Sequence, residues 1–181
     1  MRTFAGAAPL APKAAAVRAQ PEAVEDLFRR YAPYVATIAL RLLGRHDEVD
    51  DVVQDVFLAA VRGLRRLREP AAARAWLATV TVRVARRRLL SRRMRALLGI
   101  DAYDYEDVAA HGATPEQQSL LAGVYRALDR LPPNQRIAWS LRVVDGESLE
   151  RVAVLCDCSL ATAKRRIAAA RARVEKVLSD D

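Results

Sequence analysis

The stretch that decides the fold lies near the carboxyl end of the chain and reads SLERVAVLCDCSLATAKRRIAAARARV, residues 148–174. Apolar side chains recur at helical spacing on both sides of a short turn, at Val152, Ala153, Leu155, Ala163 and Ile167. Asp157, between two cysteines, tolerates the backbone of a tight turn, and Ser159 is placed to cap the helix that follows. This spacing predicts a helix-turn-helix with helices over about 148–155 and 160–177.

The second helix of this pair carries polar and basic side chains opposite its apolar stripe. Such a helix fits the DNA major groove, where its first residues meet base edges. Arginine can bind guanine with two hydrogen bonds, which makes Arg165 a candidate base reader, whereas Lys164 and Arg171 are placed to hold phosphates. The candidate residues for duplex DNA are Ser159, Thr162, Lys164, Arg165, Arg166 and Arg171. Taken alone, the same stretch is compatible with a helical hairpin that has a basic surface.

The charge of the chain is concentrated in one segment. Its 181 residues carry a formal net charge of +8, yet residues 62–95 hold twelve Lys or Arg against one acid, which is +11. Residues 22–61 and 96–131 carry −4 each. Basic segments separated by acidic stretches are typical of a protein that binds a polyanion. Nucleic acid is therefore favoured over a membrane surface or merely solvated helix faces.

The composition predicts an all-α protein. Ala, Leu, Val and Arg are abundant, aromatic residues are 6% of the chain, and no alternating strand pattern occurs in the sequence. Residues 1–21 are rich in Ala and Pro and are expected to form a disordered tail. Residues 22–95 and 115–178 have helical periodicity, whereas residues 96–114 are acidic and lose it. We therefore expect two small helical domains joined by a flexible linker.

Several residues mark where individual helices are expected to begin and end. Pro33 suits the first turn of a separate helix, which Gly44 ends, and Asp47 is placed to cap the next one. Thr114 and Pro115 are expected to start the first helix of the second domain. The residues expected on buried faces include Val49, Val52, Val53, Val56, Ala60, Leu64, Leu77, Val80, Thr81, Val84, Leu120, Leu121, Val124 and Leu128. The arginines of a long helix that begins near residue 72 are expected to point away from the core.

The chain lacks the residue clusters that catalysis or metal binding would need. Cys156 and Cys158 could supply only two of the four ligands that a zinc site needs. Cysteines placed in this way are more typical of packing residues than of a redox pair. His46 and His111 are isolated, and no glycine-rich loop is available to cradle a phosphate. We therefore expect no enzyme activity, metal, cofactor or small-molecule substrate. Reduced thiols, a poor secretory signal and no apolar run of about 20 residues point to the cytoplasm.

Two stretches resemble the bacterial sigma-70 family. Region 4 of that family is similar to residues 127–178, ALDRLPPNQRIAWSLRVVDGESLERVAVLCDCSLATAKRRIAAARARVEKVL. Region 2 is similar to residues 27–64, LFRRYAPYVATIALRLLGRHDEVDDVVQDVFLAAVRGL, and to residues 75–93, AWLATVTVRVARRRLLSRR. Nothing between these stretches resembles region 3. This two-region organisation matches the extracytoplasmic-function (ECF) subgroup. The resemblance implies an RNA polymerase sigma factor that recognises promoters, melts DNA and starts transcription.

The resemblance assigns one acidic helix to core RNA polymerase. The corresponding helix of the family grips the clamp helices of the β′ subunit, and an acidic, partly apolar face suits a basic coiled-coil partner. The matching residues are Asp51, Val53, Gln54, Asp55 and Phe57. The resemblance also implies that region 4 contacts the β flap. Without the resemblance, these residues are compatible with an ordinary amphipathic helix that has acids at its start.

The resemblance assigns the arginine-rich segment to the −10 promoter element, where the family separates the strands and captures an unpaired base. Cations hold single-stranded phosphates, and planar groups can stack on bases. The matching residues are Arg65, Arg66, Arg68, Arg74, Trp76, Arg83, Arg86, Arg87 and Arg88. Trp76 is also a candidate core residue, and that role is favoured. Ala73, Arg83 and Arg87 stand where the family often has Phe, Asn and Asp, so we expect stronger phosphate binding but transfer no base preference.

The implied partners are core RNA polymerase and promoter DNA. Factors of this subgroup are commonly held by an anti-sigma protein, often membrane-bound, so the resemblance also implies sequestration at the inner face of the membrane. The alternative is a one-component helix-turn-helix regulator that binds DNA without polymerase and uses its amino-terminal domain to sense a ligand or dimerise. That alternative explains the carboxyl-terminal motif but not the +11 charge of residues 62–95.

Overall fold

A computed structural model of the chain describes residues 21–63, 72–100 and 114–180. These residues form α-helices joined by turns, and none of them lies in a β-strand, which confirms the all-α prediction. The helices are α1 (Pro21–Leu43), α2 (Val49–Gly63), α3 (Ala73–Leu97), α4 (Pro115–Asp129), α5 (Pro133–Val143), α6 (Leu149–Leu155) and α7 (Leu160–Asp180). The predicted tail up to residue 20 and residues 101–113 of the predicted linker lie outside the described residues.

α1 is one continuous helix of 23 residues, so the prediction of a separate helix beginning at Pro33 is wrong. The proline removes one backbone hydrogen-bond donor from the middle of α1. The Pro33 carbonyl accepts a hydrogen bond from the Thr37 hydroxyl at 2.8 Å. Leu27 before the proline and Val35 after it contact the same apolar core, and this packing outweighs the lost backbone bond.

The turn between α1 and α2 contains the glycine cap that the sequence predicts. Gly44 has a φ of +67°, and its N–H donates to the Leu40 carbonyl at 2.7 Å. α2 begins at Val49, one residue later than a cap at Asp47 requires, so that prediction is wrong. The Asp47 carboxylate instead accepts a hydrogen bond from Arg45 Nε at 2.9 Å, and this pairing lowers the pKa of the Asp47 carboxyl.

α2 and α3 bury the apolar faces expected from their spacing. The predicted residues that are buried in these two helices are Val49, Val52, Val53, Val56, Ala60, Leu77, Val80, Thr81 and Val84. Arg92, expected to point outward, is 5% exposed. Its Nε donates to Glu48 Oε1 at 2.7 Å and its Nη1 to the Leu43 carbonyl at 3.1 Å. A buried arginine is tolerated here because a carboxylate and a helix-terminal carbonyl share its charge.

α4 begins at Pro115 with Thr114 as its N-cap, as the sequence predicts, and the structure completes this cap as a capping box. The Thr114 side chain accepts a hydrogen bond from the Gln117 N–H at 3.4 Å, and the Gln117 side chain accepts from the Thr114 N–H at 3.0 Å. Leu120 is 64% exposed, so its predicted burial is wrong. Residues 114–120 are all exposed, so the first turns of α4 extend past the core, and its buried residues begin at Ala122 and continue through Tyr125 and Leu128.

The helix-turn-helix formed by α6 and α7 has the predicted turn and cap. Asp157 adopts a φ of +51°, the left-handed conformation that aspartate tolerates better than most residues. The Thr162 N–H donates to Ser159 Oγ at 3.2 Å and so satisfies one free donor of the first turn of α7. Ser148 caps α6 in the same way, through the Arg151 N–H at 3.1 Å.

The amino-terminal half (α1–α3) and the carboxyl-terminal half (α4–α7) share apolar packing. Ile137 and Leu141 of α5 and Val152 of α6 belong to the same buried cluster as α1, α2 and α3. Trp139, on another face of α5, packs with α4 and α7 in a second cluster. α3 reaches Leu97 and so extends into the predicted linker by two residues. α5 therefore lies between the two clusters and joins the halves.

Candidate DNA and polymerase interfaces

The first turn of α7 presents side chains predicted to meet duplex DNA. The Ser159 hydroxyl donates to Thr162 Oγ1 at 2.9 Å, which fixes the orientation of two short polar side chains. Lys164 and Arg165 are exposed, and Arg166 is half-buried. The opposite side of α7 is buried against α5 and α6, so the cationic side chains face solvent.

Arg171 lies about two turns further along α7 and is also exposed. Its Nε pairs with Glu175 Oε1 at 2.9 Å, and the two side chains are 73% and 66% exposed. An ion pair so open to water contributes little to stability. The arginine can therefore exchange its carboxylate for a DNA phosphate at low cost.

Within α3, the arginines predicted to bind the −10 element do not share one surface. Arg83 and Arg86 line a narrow crevice whose other wall is Asn134, Cys156 and Asp157 of the carboxyl-terminal half. Arg87 and Arg88 line a different groove, between α2 and α3. Arg65, Arg66 and Arg68 lie outside the described residues. Part of the predicted −10 surface is thus held against the helix-turn-helix.

Two predicted −10 residues at the start of α3 contact aromatic or apolar neighbours. The guanidinium carbon of Arg74 lies 4.5 Å from the centre of the Tyr34 ring, a cation–π distance. Trp76 is half-buried and packs on Gly63, where an added Cβ would lie 2.5 Å from Trp76 Cζ2. This close packing favours the core role for Trp76.

The residues predicted to bind polymerase divide between the surface of α2 and its core. Val53 and Phe57 are buried, and the Phe57 ring meets Phe28 edge to face with centroids 4.9 Å apart. Gln54 is exposed. The side chains of Asp51 and Asp55 are 60% and 43% exposed, and both pair with Arg88 of α3.

Arg88 of α3 bridges the two acids of α2 that are predicted to contact polymerase. Its Nη2 lies 3.0 Å from Asp55 Oδ2 and its Nη1 lies 3.4 Å from Asp51 Oδ2. The Arg88 side chain is 33% exposed, whereas the side chain of Asp51 is 60% exposed and that of Asp55 is 43% exposed. A residue assigned to DNA is therefore paired with residues assigned to polymerase, and either contact would compete with this pairing.

The residue that joins the two halves most directly was not predicted from the sequence. Arg136 of α5 is 1% exposed, and its guanidinium reaches the last turn of α1. Its Nε donates to the Leu42 carbonyl at 3.0 Å and its Nη2 to the Leu43 carbonyl at 2.7 Å. Its Nη1 donates to Asp129 Oδ1 of α4. An arginine directly before the buried Ile137 is the one local signal that could have drawn attention to it.

Two further contacts accompany Arg136 at the end of α1. Tyr125 of α4 packs on Gly44, and its hydroxyl donates to the Arg41 carbonyl at 3.2 Å. Arg41 Nη1 lies 2.7 Å from Asp145 Oδ1, in the turn after α5. Burial raises the pKa of the Asp145 carboxyl, and the hydrogen bond from Arg41 opposes that shift. Both halves therefore contribute polar groups to a single interface.

Among the described residues, no three His, Cys, Asp or Glu side chains come together as metal ligands. Cys156 and Cys158 are not joined by a disulfide, and burial raises the pKa of the Cys156 thiol to about 11. A protonated buried thiol is a poor nucleophile, which favours a packing role for Cys156. No helix in the described part of the chain is long and apolar enough to cross a membrane.

Comparison with known sequences identifies both halves. The family model of Sigma-70 region 2 matches residues 27–95, and the model of Sigma-70, region 4 matches residues 121–174. The ECF RNA polymerase sigma-E factor of Escherichia coli (strain K12) is 32% identical over 156 residues, which cover 81% of each chain. The relative of the same name from Haemophilus influenzae is 32% identical over 160 residues, or 82% of this chain and 84% of the relative.

Solved structures are similar over both halves as well. The sigma factor RpoE in complex with the anti-sigma factor NepR from Bartonella quintana aligns with a TM-score of 0.59 and 25% identity, covering 87% of this chain and 97% of that chain. CnrH in complex with the cytosolic domain of CnrY aligns with a TM-score of 0.58 and 25% identity, covering 90% and 91%. A one-component regulator would leave the match to region 2 unexplained. The chain therefore belongs to the sigma-70 family, as an extracytoplasmic-function RNA polymerase sigma factor.

Proposed function

We propose that this sigma factor contacts promoter DNA with α7 and α3 and core RNA polymerase with the acidic face of α2. The observation that carries the proposal is the exposed cationic face of α7, which a formed turn and a Ser159 cap hold in place. This surface belongs to the same chain as a region 2 match, so one molecule can read two promoter elements. The chain itself performs no catalysis in this proposal, and the polymerase supplies the chemistry.

At the −35 element, α7 enters the major groove of duplex DNA. Arg165 is exposed near the amino end of α7, where the side chains of a recognition helix reach base edges. Lys164, Arg166 and Arg171 hold phosphates on either side. Ser159 and Thr162 fix the first turn through their hydrogen bond and complete the surface that meets the duplex.

At the −10 element, α3 holds the separated strand through its arginines. Four arginines supply the positive charge for single-stranded phosphates: Arg83 and Arg86 on one side of α3, and Arg87 and Arg88 on another. Arg88 can bind a phosphate only after it leaves Asp51 and Asp55. Arg74, in the first turn of α3, adds to that charge, and Arg65, Arg66 and Arg68 precede it in the sequence. Trp76 packs on Gly63 and so fixes the start of α3, which carries this surface, against the end of α2.

The acidic face of α2 binds the clamp helices of the β′ subunit through Asp51, Gln54 and Asp55, with Val53 and Phe57 shaping the helix from the core. Region 4 contacts the β flap. The solved relatives in complex with NepR and with CnrY support a further partner of the anti-sigma type. The site of action is the cytoplasm, with sequestration at the inner membrane face when that partner is membrane-bound.

The test is in vitro transcription from a genomic promoter library by core polymerase with and without the chain. We expect promoter-specific initiation that requires the chain. The chain alone should bind DNA weakly, whereas the polymerase complex should bind tightly, with an affinity that falls steeply as the salt concentration rises. Specific footprints by the free chain, without any polymerase-dependent initiation, would instead establish a one-component regulator.

A residue-level version of the test compares Arg165→Ala with Arg130→Ala. Arg130 is exposed at the C-cap of α4, is not among the predicted DNA contacts, and provides the matched loss of one charge. If Arg165 reads a base, its loss should cost about 1–3 kcal/mol at one position of the −35 element and relax the preference there. An equal loss on all sequences would show a phosphate contact, and no loss would remove Arg165 from the interface.

A further inference from the structure

The last turns of α3 carry a row of large, exposed apolar side chains. Leu90, Met94 and Leu97 lie within about 60° of one another around the helix axis. The row continues with Leu98 at the C-cap and Ile100 after it, and all five residues are between 48% and 74% exposed. Apolar residues scattered singly are common on protein surfaces, whereas a contiguous set marks a contact with another surface. We call these five residues the apolar ridge.

The apolar ridge lies on a helix end whose backbone is capped. Gly99 has a φ of +68°, and its N–H donates to the Ala96 carbonyl at 3.1 Å. The Ile100 N–H donates to the Arg95 carbonyl at 3.1 Å. These two hydrogen bonds are those of a Schellman motif, which satisfies carbonyls at the end of the helix. The cap therefore holds the last residues of the ridge beside the earlier ones.

The apolar ridge is convex, because it lies between two concave parts of the α3 surface. The groove toward α2 is lined by Ser91 and Arg95. A cavity toward α4 and α5 is lined by Leu89 and Arg92. At 3.6 residues per turn, the ridge points between these two directions. A peptide helix that binds a protein usually needs a groove, whereas a ridge fits a flat surface.

The charged residues of α3 around the apolar ridge are all cationic. α3 contains eight arginines and neither Asp nor Glu. Arg87, about one turn before Leu90, and Arg93, directly before Met94, are exposed. Exposed apolar side chains with flanking arginines are typical of a helix that lies on a membrane. Its apolar face enters the boundary between headgroups and acyl chains, and its cations meet anionic lipids.

We propose that the apolar ridge docks this sigma factor directly on an anionic phospholipid bilayer, with Arg87 and Arg93 on the lipid phosphates. A bilayer is favoured over a protein helix because the ridge is convex and its flanking charges have one sign. Docking occupies Arg87, which the proposed function assigns to DNA, so the membrane and DNA compete for α3. This competition rests on the proposed function, but membrane binding itself does not.

The experiment is co-flotation of the full chain with vesicles of phosphatidylcholine alone, or of equal parts phosphatidylcholine and phosphatidylglycerol. The ridge variant is Leu97→Ser with Leu98→Ser. Its matched control is Leu120→Ser with Val154→Ser, which removes two exposed apolar side chains from α4 and α6. For the charge, Arg93→Gln is compared with Arg130→Gln, since both arginines are exposed.

We expect wild type to bind the anionic vesicles about tenfold more tightly than the neutral ones. The ridge variant should lose about tenfold in affinity for the anionic vesicles, because it inserts less apolar surface. Arg93→Gln should lose about fivefold, and the loss should shrink as the salt concentration rises. Both control variants should bind like wild type. A single-stranded oligonucleotide should displace wild type from the vesicles.

Insertion is measured separately, by quenching of tryptophan fluorescence with lipids that carry bromine on their acyl chains. Leu97→Trp places the probe on the ridge, and Leu120→Trp places it on another exposed apolar position. Trp76 and Trp139 are present in both variants and give the same background. We expect stronger quenching in Leu97→Trp than in Leu120→Trp.

The proposal is overturned if wild type does not bind vesicles, if the ridge variant binds as well as wild type, or if phosphatidylglycerol makes no difference. Lipid-free self-association that the ridge variant loses, without vesicle binding, would assign the ridge to a second copy of the chain. Simultaneous binding of oligonucleotide and vesicle would overturn the competition. Transcription with core polymerase is measured on wild type separately. Vesicle binding without initiation would reject the proposed function alone, and initiation without vesicle binding would reject membrane docking alone.

Discussion

The buried guanidinium of Arg136 is stable because every direction of its planar fork meets an acceptor. Two carbonyls of α1 and the Asp129 carboxylate receive its hydrogen bonds, and its guanidinium carbon lies 5.8 Å from the centre of the Tyr125 ring. Lysine, a point charge on a flexible stem, could not satisfy these acceptors together. The residue thus combines helix capping, ion pairing and cation–π contact in one position.

Replacing Arg136 with alanine should lower the free energy of unfolding by about 3 kcal/mol, because two carbonyls lose a charged donor in a buried site. Urea denaturation followed by circular dichroism measures the loss. Arg126→Ala, on the exposed side of α4, is the control and should change stability by less than about 0.5 kcal/mol. A loss below about 1 kcal/mol for Arg136→Ala would mean that water replaces the guanidinium.

Cys156 should react with thiol reagents far more slowly in the folded chain than in the unfolded one. Burial raises its pKa from 9.0 to about 11, so the reactive thiolate is depleted about a hundredfold at pH 8. A pKa raised by folding adds stability that is complete below pH 9.0 and is lost as the pH rises toward about 11. Mass spectrometry after alkylation at pH 8, with and without urea, gives the two rates. Equal rates would show that Cys156 is not shielded.

At the scale of the element, the turn of the helix-turn-helix depends on the backbone of Asp157. A β-branched residue is strained at a φ of +51°, whereas glycine adopts it freely. Asp157→Val should therefore destabilise the chain by about 1–2 kcal/mol, and Asp157→Gly should be close to neutral. Thermal unfolding of both variants compares them. Equal destabilisation by valine and glycine would show that the aspartate side chain, not the backbone, stabilises the turn.

Which elements the sequence could predict depends on how local their causes are. The Gly44 cap, the Thr114 N-cap and the Asp157 turn follow from residues within a few positions of one another, and all three were predictable. The continuity of α1 through Pro33 was not, because packing on both sides of the proline decides it. Arg136 was hidden for a similar reason. Its acceptor on Leu42 lies 94 residues away in the chain, and no periodicity reports such a partner.

The candidate surfaces also contain features that local sequence predicts and features that depend on how the helices pack. Exposure of Lys164 and Arg165 follows from the period of α7 alone. The pairing of Arg88 with Asp51 and Asp55 requires α2 and α3 to pack side by side, so the sequence could count these charges but not combine them. Counting charges by segment therefore overestimates the positive charge that α3 offers to DNA while Arg88 is paired with these two acids.

At the scale of the whole molecule, the apolar cluster that runs from α1 to α6 should make the two halves unfold together. Ile137 and Leu141 are 1% and 2% exposed and belong to the cluster to which the amino-terminal half contributes. Separate unfolding of the halves would expose them to water, at a cost in free energy that grows with the apolar area uncovered. Calorimetry of wild type should therefore show one transition, with equal calorimetric and van't Hoff enthalpies.

The charge reversal Arg41→Glu should break this cooperativity, since it repels Asp145 and weakens the interface without touching either core. We expect its transition to broaden or to split into two, with the less stable half unfolding first. Arg29→Glu, which has the same net charge, should keep the single transition of wild type. Two resolved transitions in wild type would show that the halves are energetically independent. A single sharp transition in Arg41→Glu would show that the shared apolar cluster couples the halves without the ion pair.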